Sequence, residues 1–229
     1  MGNNATANQG HRARLLERFS ASGIGALADY EIIELILTFA IPRRDTKPLA
    51  KLLVRRFRSV SGVLNADLKQ LEQIEGIGRR TASLLLLFRQ VMSYCLKEQL
   101  QDRPVIHHRK DVDDYLRFNL GFRRDEYVAA LFLDNGNRVI STEVVTEGTV
   151  NQCAVYPRVI IEKALGYKAS AFIIAHNHPG GSTEPSDADW QITERLHQLG
   201  KLMDLPLLDH IISVQERVVS LREMPRWPR

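Results

Sequence analysis

Cysteine is scarce, with two residues in a chain of 229. Cys95 and Cys153 lie far apart and in different expected domains, so no disulfide is expected and a reducing, cytoplasmic setting fits. Neither belongs to a metal-like cluster, and both read as small buried hydrophobes. Long hydrophobic runs are also missing. No apolar stretch approaches the roughly 20 residues that cross a bilayer, which argues against a membrane protein. The start, Met1 to Gly10, is polar and lacks the apolar core of a secretory signal. Gly2 with Thr6 matches the short myristoylation pattern. One acyl chain anchors only marginally and no polybasic cluster sits beside it, so this segment reads as a disordered polar terminus. Internal repeats and low-complexity tracts are absent. What remains, 44% hydrophobic and 25% charged residues, is ordinary for a soluble globular protein of one large or two small domains.

The net charge of +4 is unevenly spread. Residues 1–103 carry 16 basic and 10 acidic side chains, and residues 104–229 carry 15 and 17. A basic first part suits an anionic partner such as nucleic acid, although a solvated surface explains the excess nearly as well.

The pattern of residues separates the same two parts. Residues 1–103 read as all-helical. A short helix starts near His11, with Leu15, Leu16 and Phe19 on one face. An apolar helix covers Tyr30 to Phe39, with Asp29 as candidate cap. A basic amphipathic helix covers Pro48 to Phe57, and a short helix covers Leu64 to Leu71. Gly76-Ile77-Gly78 then turns into a long apolar helix ending near Cys95. Two glycines permit a tight turn that leaves backbone N–H groups at a helix start, where a phosphate can be held. Arg79 and Arg80 add positive charge there. Leu71, Ile74, Gly76, Ile77, Gly78, Ala82 and Leu85 fit the helix-hairpin-helix pattern, which grips DNA backbone without reading sequence. The alternative is a packing or protein-docking hairpin, and the sequence leaves both open.

Lys97 to Arg109 is polar and reads as a linker, with His107 and His108 a solvated pair. Residues 104–229 then alternate. A helix covers Asp111 to Phe118, and strands cover Glu126 to Leu133 and Arg138 to Val145 around an Asp134–Asn137 turn. A helix covers Pro157 to Leu165, a strand Ala171 to Ala175, and a helix opens at Ser186. Strands follow at Leu207 to Val214 and Val218 to Leu221. The fold class is α/β, α+β overall: a helical first region followed by a mixed α/β domain with one helix on each side of a sheet.

The sharpest feature is His176-Asn177-His178-Pro179 followed by Ser186-Asp187-Ala188-Asp189. A strand repeats every two residues, so His176 and His178 project from one side of its end. The loop from Gly180 to Pro185 and the helix opened by Ser186 can return Asp189 to both imidazoles. Two histidines and one carboxylate make a three-ligand zinc site with a position left for water, the catalytic arrangement. One Zn2+ per chain is expected.

The spacing His-x-His, seven residues, Ser, two residues, Asp matches the JAMM (MPN-plus) metalloprotease signature. The second part resembles the RadC family within that superfamily. The resemblance is carried by Gly148-Thr149, Pro157-Arg158, Ala164-Leu165, the two motifs above with Pro185, and Leu208-Asp209-His210-Ile211-Ile212. Residues 1–103 are similar to that family's helical region, so the resemblance runs from about His11 onward. Val159 and Gly180 depart from the family pattern, where Glu and Ser are usual, and neither is an expected ligand. The resemblance implies an MPN domain and a zinc-dependent protease or isopeptidase acting on a protein or peptide. It also implies an acidic general base that opens an upstream apolar strand. Here that is Glu126, with Glu143 and Glu147 as competitors. Ser186 either donates to the oxyanion or only caps its helix. Asp209 and His210 read as a structural polar pair, with a role in orienting a ligand imidazole as the alternative. His11 and His197 read as surface residues. The competing function is a DNA-binding accessory protein in which the hairpin does the work.

Overall fold

In the computed structural model, residues 3–105, 107–123, 125–148, 156–215 and 217–228 are described, without the side chains of 3–9 and 146–148. The chain divides into two units, Met1–Met92 and Ser93–Arg229. The division falls inside a helix rather than in the polar stretch that follows it. None of the described helices is long and apolar enough to cross a membrane.

The first unit is helical because its apolar residues recur at helical spacing around one core. Helix α1 covers Asn3–Ser22, α2 Asp29–Ala40, α3 Lys47–Phe57, α4 Val60–Leu64 and α5 Leu68–Glu72. Ile33, Leu37, Ala50, Leu53, Val63, Leu71, Ile74 and Leu85 are buried together. Helix α1 begins well before His11, so the polar start of the chain is helical from Asn3. Among its described side chains only Leu15 is fully buried, while Leu16 and Phe19 are exposed. Asp29 is the first residue of α2 rather than its cap. Ala28 holds the cap position, and its N–H donates to Glu31 at 3.0 Å, half of a capping box because alanine offers no acceptor. The single helix expected over Leu64 to Leu71 is two. Asp67 accepts from the Gln70 N–H and starts α5 afresh after α4 has ended at Leu64.

His11 is not a plain surface residue. Its Nε2 lies 2.9 Å from Glu34, which is 1% exposed. Burial raises the Glu34 carboxyl above its usual range, and the imidazole opposes that shift.

The turn between α5 and α6, Arg79–Asp102, is the glycine hairpin. Gly76 adopts φ 93°, a left-handed conformation that favours glycine. Gly78 does not, and a Cβ added there would meet nothing within 4 Å. The turn's conformational demand therefore sits on Gly76. Gly78, Arg79 and Arg80 are exposed, and Arg44 Nη2 lies 4.0 Å from where a Gly76 Cβ would be. Helix α6 continues to Asp102, so the first part of the expected linker is helix. Cys95 on α6 is exposed, contrary to its reading as a buried hydrophobe. Cys153 lies outside the described residues.

The second unit contains helix α7, Arg109–Leu120, and strands β1, Glu126–Leu133, and β2, Val139–Gly148. Helix α8, Pro157–Gly166, strand β3, Ala171–Asn177, and helix α9, Asp187–Leu202, follow. Strands β4, Leu207–Val214, and β5, Arg217–Ser220, end the unit. The sheet order is β2-β1-β3-β4-β5, with only β3 and β4 parallel. Helix α9 supplies the crossover that a parallel pair needs.

Alternation along the strands builds two cores. Ala129, Leu131, Leu133, Ile173 and Ile211 face α7 through Val112, Leu116 and Leu120. Ala130, Phe132, Phe172 and Ile174 face Ile160 and Ala164 of α8 and Leu196 of α9. Two helices thus cover one face and one covers the other, rather than one on each. His197 on α9 is half-buried and stands edge-on to Trp227, with ring centroids 6.0 Å apart.

One irregularity decides what faces the site. Phe172 pairs with Leu207, yet Ile173 pairs with Asp209, so β4 holds an extra residue at this point. A shift of one residue exchanges the two faces of a strand. Asp209 is thereby turned toward α7, where Arg109 Nη1 lies at 3.1 Å and Ser220 Oγ at 2.8 Å. His210 is turned toward α9.

Candidate metal centre

The site forms where the end of a strand meets the start of a helix. His176 and His178 flank Asn177 at the end of β3. The turn after them closes through the Gly181 N–H, which donates to the His178 carbonyl at 3.0 Å, with Gly181 at φ 85°. Ser186 caps α9 by accepting from the Asp189 N–H at 3.2 Å. In return Asp189 Oδ2 accepts from the Ser186 N–H and hydroxyl, both at 2.7 Å. Capping residues of this kind are worth about 1 kcal/mol. Here the cap also fixes the rotamer that aims Asp189 at the imidazoles.

Three ligand-type atoms converge. His176 Nε2 lies 2.8 Å from His178 Nε2. Asp189 Oδ1 lies 3.1 Å from His176 Nε2, and Oδ2 lies 3.4 Å from His178 Nε2. A tetrahedral zinc ion with bonds of about 2.0 Å separates its ligand atoms by roughly 3.3 Å, so the spacing fits. The proton positions fit as well. His178 Nδ1 lies 2.9 Å from the Ser182 carbonyl and must donate to it, which leaves Nε2 as a lone pair. Among the described residues this is the one cluster of three such groups close enough to share an ion.

The electrostatics follow from the crowding. Burial alone would raise the Asp189 carboxyl, but its contacts with the His176 and His178 imidazoles and the Ser186 hydroxyl outweigh it and hold it well below the usual carboxylate range. The hydrogen bond to Asp189 raises the His178 imidazole against the opposing effect of burial, and the Ser182 carbonyl and the charges of Asp189 and Glu126 add to it. His210, fully enclosed, is pushed well below its ordinary value by burial and by its histidine neighbours.

Glu126 opens β1 beside this site. Val128 pairs with His176 in an antiparallel register, so Glu126 comes level with His178 on the same face. Asn177 holds that strand end. Its Oδ1 accepts from the Tyr127 N–H at 2.8 Å, and its Nδ2 donates to the carbonyls of Asp125 at 2.9 Å and Arg123 at 3.3 Å. The residue between the two histidines thus positions Glu126, a role the sequence did not signal. Glu143 is elsewhere. It pairs with Ala130, four residues or about 13 Å along β1, and its carboxylate accepts from Tyr167 Oη and Lys163 Nζ. Those hydrogen bonds hold its carboxyl below the ordinary range. Glu147 pairs with Tyr127, and its side chain lies outside the described residues, as does all of Thr149. His107 and His108 are exposed and remote in sequence from any ligand.

The expected polar pair Asp209-His210 divides between the two faces of the sheet. Asp209 belongs to a structural network with Arg109, Ser220 and the Arg222 N–H. His210 touches the site directly: its Nε2 lies 2.8 Å from His176 Nδ1, and its Nδ1 lies 2.6 Å from Thr193 Oγ1. Thr193 escaped the sequence reading altogether. Its position at four residues past Asp189, on the same helix face, was the only available signal.

With strand, turn and helix arranged this way, the second unit has the architecture of a JAB/MPN domain. The family model described as "RadC-like JAB domain" matches residues 106–226. A UPF0758 protein of Fusobacterium nucleatum subsp. nucleatum is 36% identical over 223 residues, covering 94% of this chain and 96% of that relative. The chain belongs to the RadC family.

Proposed function

We propose that the chain is a zinc-dependent amide hydrolase of the JAMM type, acting on a protein or peptide in the cytoplasm. The observation that carries this reading is the convergence of His176 Nε2, His178 Nε2 and Asp189 Oδ1 within reach of a single ion, beside a carboxylate at the start of β1. Bound there, zinc would supply a Lewis acid and a water whose pKa falls toward about 7. The chain's own residues would do the rest. Glu126 would take the proton from that water and return it to the departing amine. Ser186 would turn its hydroxyl from Asp189 to the developing oxyanion, a contact worth roughly 2.7–4 kcal/mol where comparable donors have been removed. The test is hydrolysis of a peptide library by the purified chain. Activity should vanish with a chelator and return with added zinc. Activity that survives complete metal removal would contradict the reading.

The glycine hairpin supports a second reading, non-specific contact with DNA backbone. Gly76 holds the turn open, and Gly78, Arg79 and Arg80 are exposed at the start of α6 with Arg44 nearby. Backbone amides and arginines hold phosphates without reading bases. The full chain should bind labelled duplex weakly at low salt and lose affinity as salt rises. Reversing charge at Arg79→Glu and Arg80→Glu should weaken binding at least about tenfold without unfolding the unit, since both side chains are exposed. No detectable binding at low salt would leave the hairpin as a packing or docking element.

A further inference from the structure

His210 and Thr193 contribute no ligand, yet their hydrogen bonds form a closed chain between two of the three ligands. Thr193 Oγ1 donates to the Asp189 carbonyl at 2.5 Å. A hydroxyl has a single proton, and this bond uses it. At the 2.6 Å contact between Thr193 Oγ1 and His210 Nδ1 the imidazole must therefore be the donor. A neutral His210 with its proton on Nδ1 carries a lone pair on Nε2. At the 2.8 Å contact with His176 Nδ1 it must accept, so His176 carries its proton on Nδ1. The remaining nitrogen, His176 Nε2, is then a lone pair aimed at the Asp189 carboxylate and at His178 Nε2. Thr193 is fully enclosed, and His210 and His176 are 1% and 2% exposed, so water is not at hand to replace any of these partners. The chain joins three elements: Thr193 and Asp189 on α9, His210 on β4 and His176 on β3.

We propose that Thr193 and His210 are positioning residues that lock the tautomer of His176, so that its Nε2 is always the ligand atom. The proposal rests on the reading of the site as a metal centre. If Thr193 ceases to accept, His210 is released to carry its proton on Nε2. His176 Nδ1 then becomes the acceptor, its proton moves to Nε2, and the ligand atom is blocked. Loss of such a partner typically weakens metal binding 10- to 100-fold.

The test has two arms. In the first, zinc affinity is measured by competition with a chromophoric chelator for the native chain, Thr193→Val and Thr193→Ser. Valine keeps the volume and removes the acceptor, whereas serine keeps the hydroxyl. The expected result is at least about tenfold weaker binding for Thr193→Val and near-native binding for Thr193→Ser. Equal affinity for native and Thr193→Val overturns the lock, and so does equal weakening by valine and serine, which would mark packing rather than the hydroxyl. A native chain that binds no zinc would remove the metal reading instead. The second arm needs no substitution. Long-range 15N–1H spectra of the metal-free native chain report which ring nitrogen of each histidine bears the proton. His210 and His176 should both be protonated at Nδ1 and bare at Nε2. A proton on His210 Nε2 with His176 Nδ1 bare would overturn the proposal whatever the zinc result.

Discussion

Glu126→Gln should abolish peptide hydrolysis while leaving the fold and the metal content intact. A positioned general base contributes about 10²- to 10⁴-fold, so the loss should be of that order and fall on kcat rather than KM. In barrier terms this is roughly 2.7–5.4 kcal/mol. The geometry behind the expectation is the register of β1 on β3. Val128 opposite His176 brings Glu126 level with His178, and the Asn177 side chain pins Tyr127 and Asp125 on either side of it. Its charge is near enough to raise the His178 imidazole. Glutamine keeps the size and polarity of the side chain but cannot take a proton. Glu143→Gln is the control, because Tyr167 and Lys163 hold Glu143 about 13 Å along the strand pair. An active Glu126→Gln beside a dead Glu143→Gln or Glu147→Gln would move the base to that residue.

Acidification should strip the ion, and earlier than ordinary histidine chemistry suggests. Metal ligands must be deprotonated, so protons compete with zinc. In the metal-free chain the His178 pKa is raised above 6.5, chiefly by its hydrogen bond to Asp189. As pH falls through that raised value, His178 gains a proton and affinity drops. Below it, this one group costs about tenfold per pH unit. The Asp189 carboxyl is held far below the usual range and stays ionised throughout. Zinc affinity followed from pH 8 to pH 5 should therefore begin to fall before pH 6.5 is reached and lose at least about 30-fold by pH 5. Flat affinity down to about pH 5.5 would mean that His178 is not a ligand.

The sequence carried the local parts of this architecture well, because they depend on residues close together in the chain. Glu126 to Leu133 and Leu207 to Val214 are legible as strands from apolar runs bounded by turn residues, and the structure has them at those limits. The His-x-His spacing and the Ser186 cap likewise place three ligand-type groups from short-range rules alone. Features that depend on tertiary context were not legible. Asp209 and His210 face opposite ways because they are neighbours in a strand, but the extra residue in β4 decides which of them faces the site, and no local pattern announces where a bulge falls. Asn177 reads as a spacer between histidines until β1 is laid beside β3. Thr193 is not singled out by the sequence, because its partner His210 comes from β4. His11 finds Glu34 across 23 residues, a contact that helix periodicity cannot supply. Apolar residues misled at Leu16, Phe19 and Cys95, which lie on helix faces left exposed. The hairpin shows the limit of reading residue types: both glycines looked equivalent, but only Gly76 adopts a positive φ.

The central claim is a zinc ion on His176, His178 and Asp189, and metal content after purification without chelator tests it most directly. The native chain should retain about one zinc per protein, and Asp189→Ala should retain little or none while keeping its fold by circular dichroism. Asp189→Asn is a useful companion, since the amide oxygen can still accept from the Ser186 N–H but no longer brings a negative charge to the ion. Full zinc occupancy in folded Asp189→Ala, or none in the native chain under conditions that load other zinc proteins, would contradict the account.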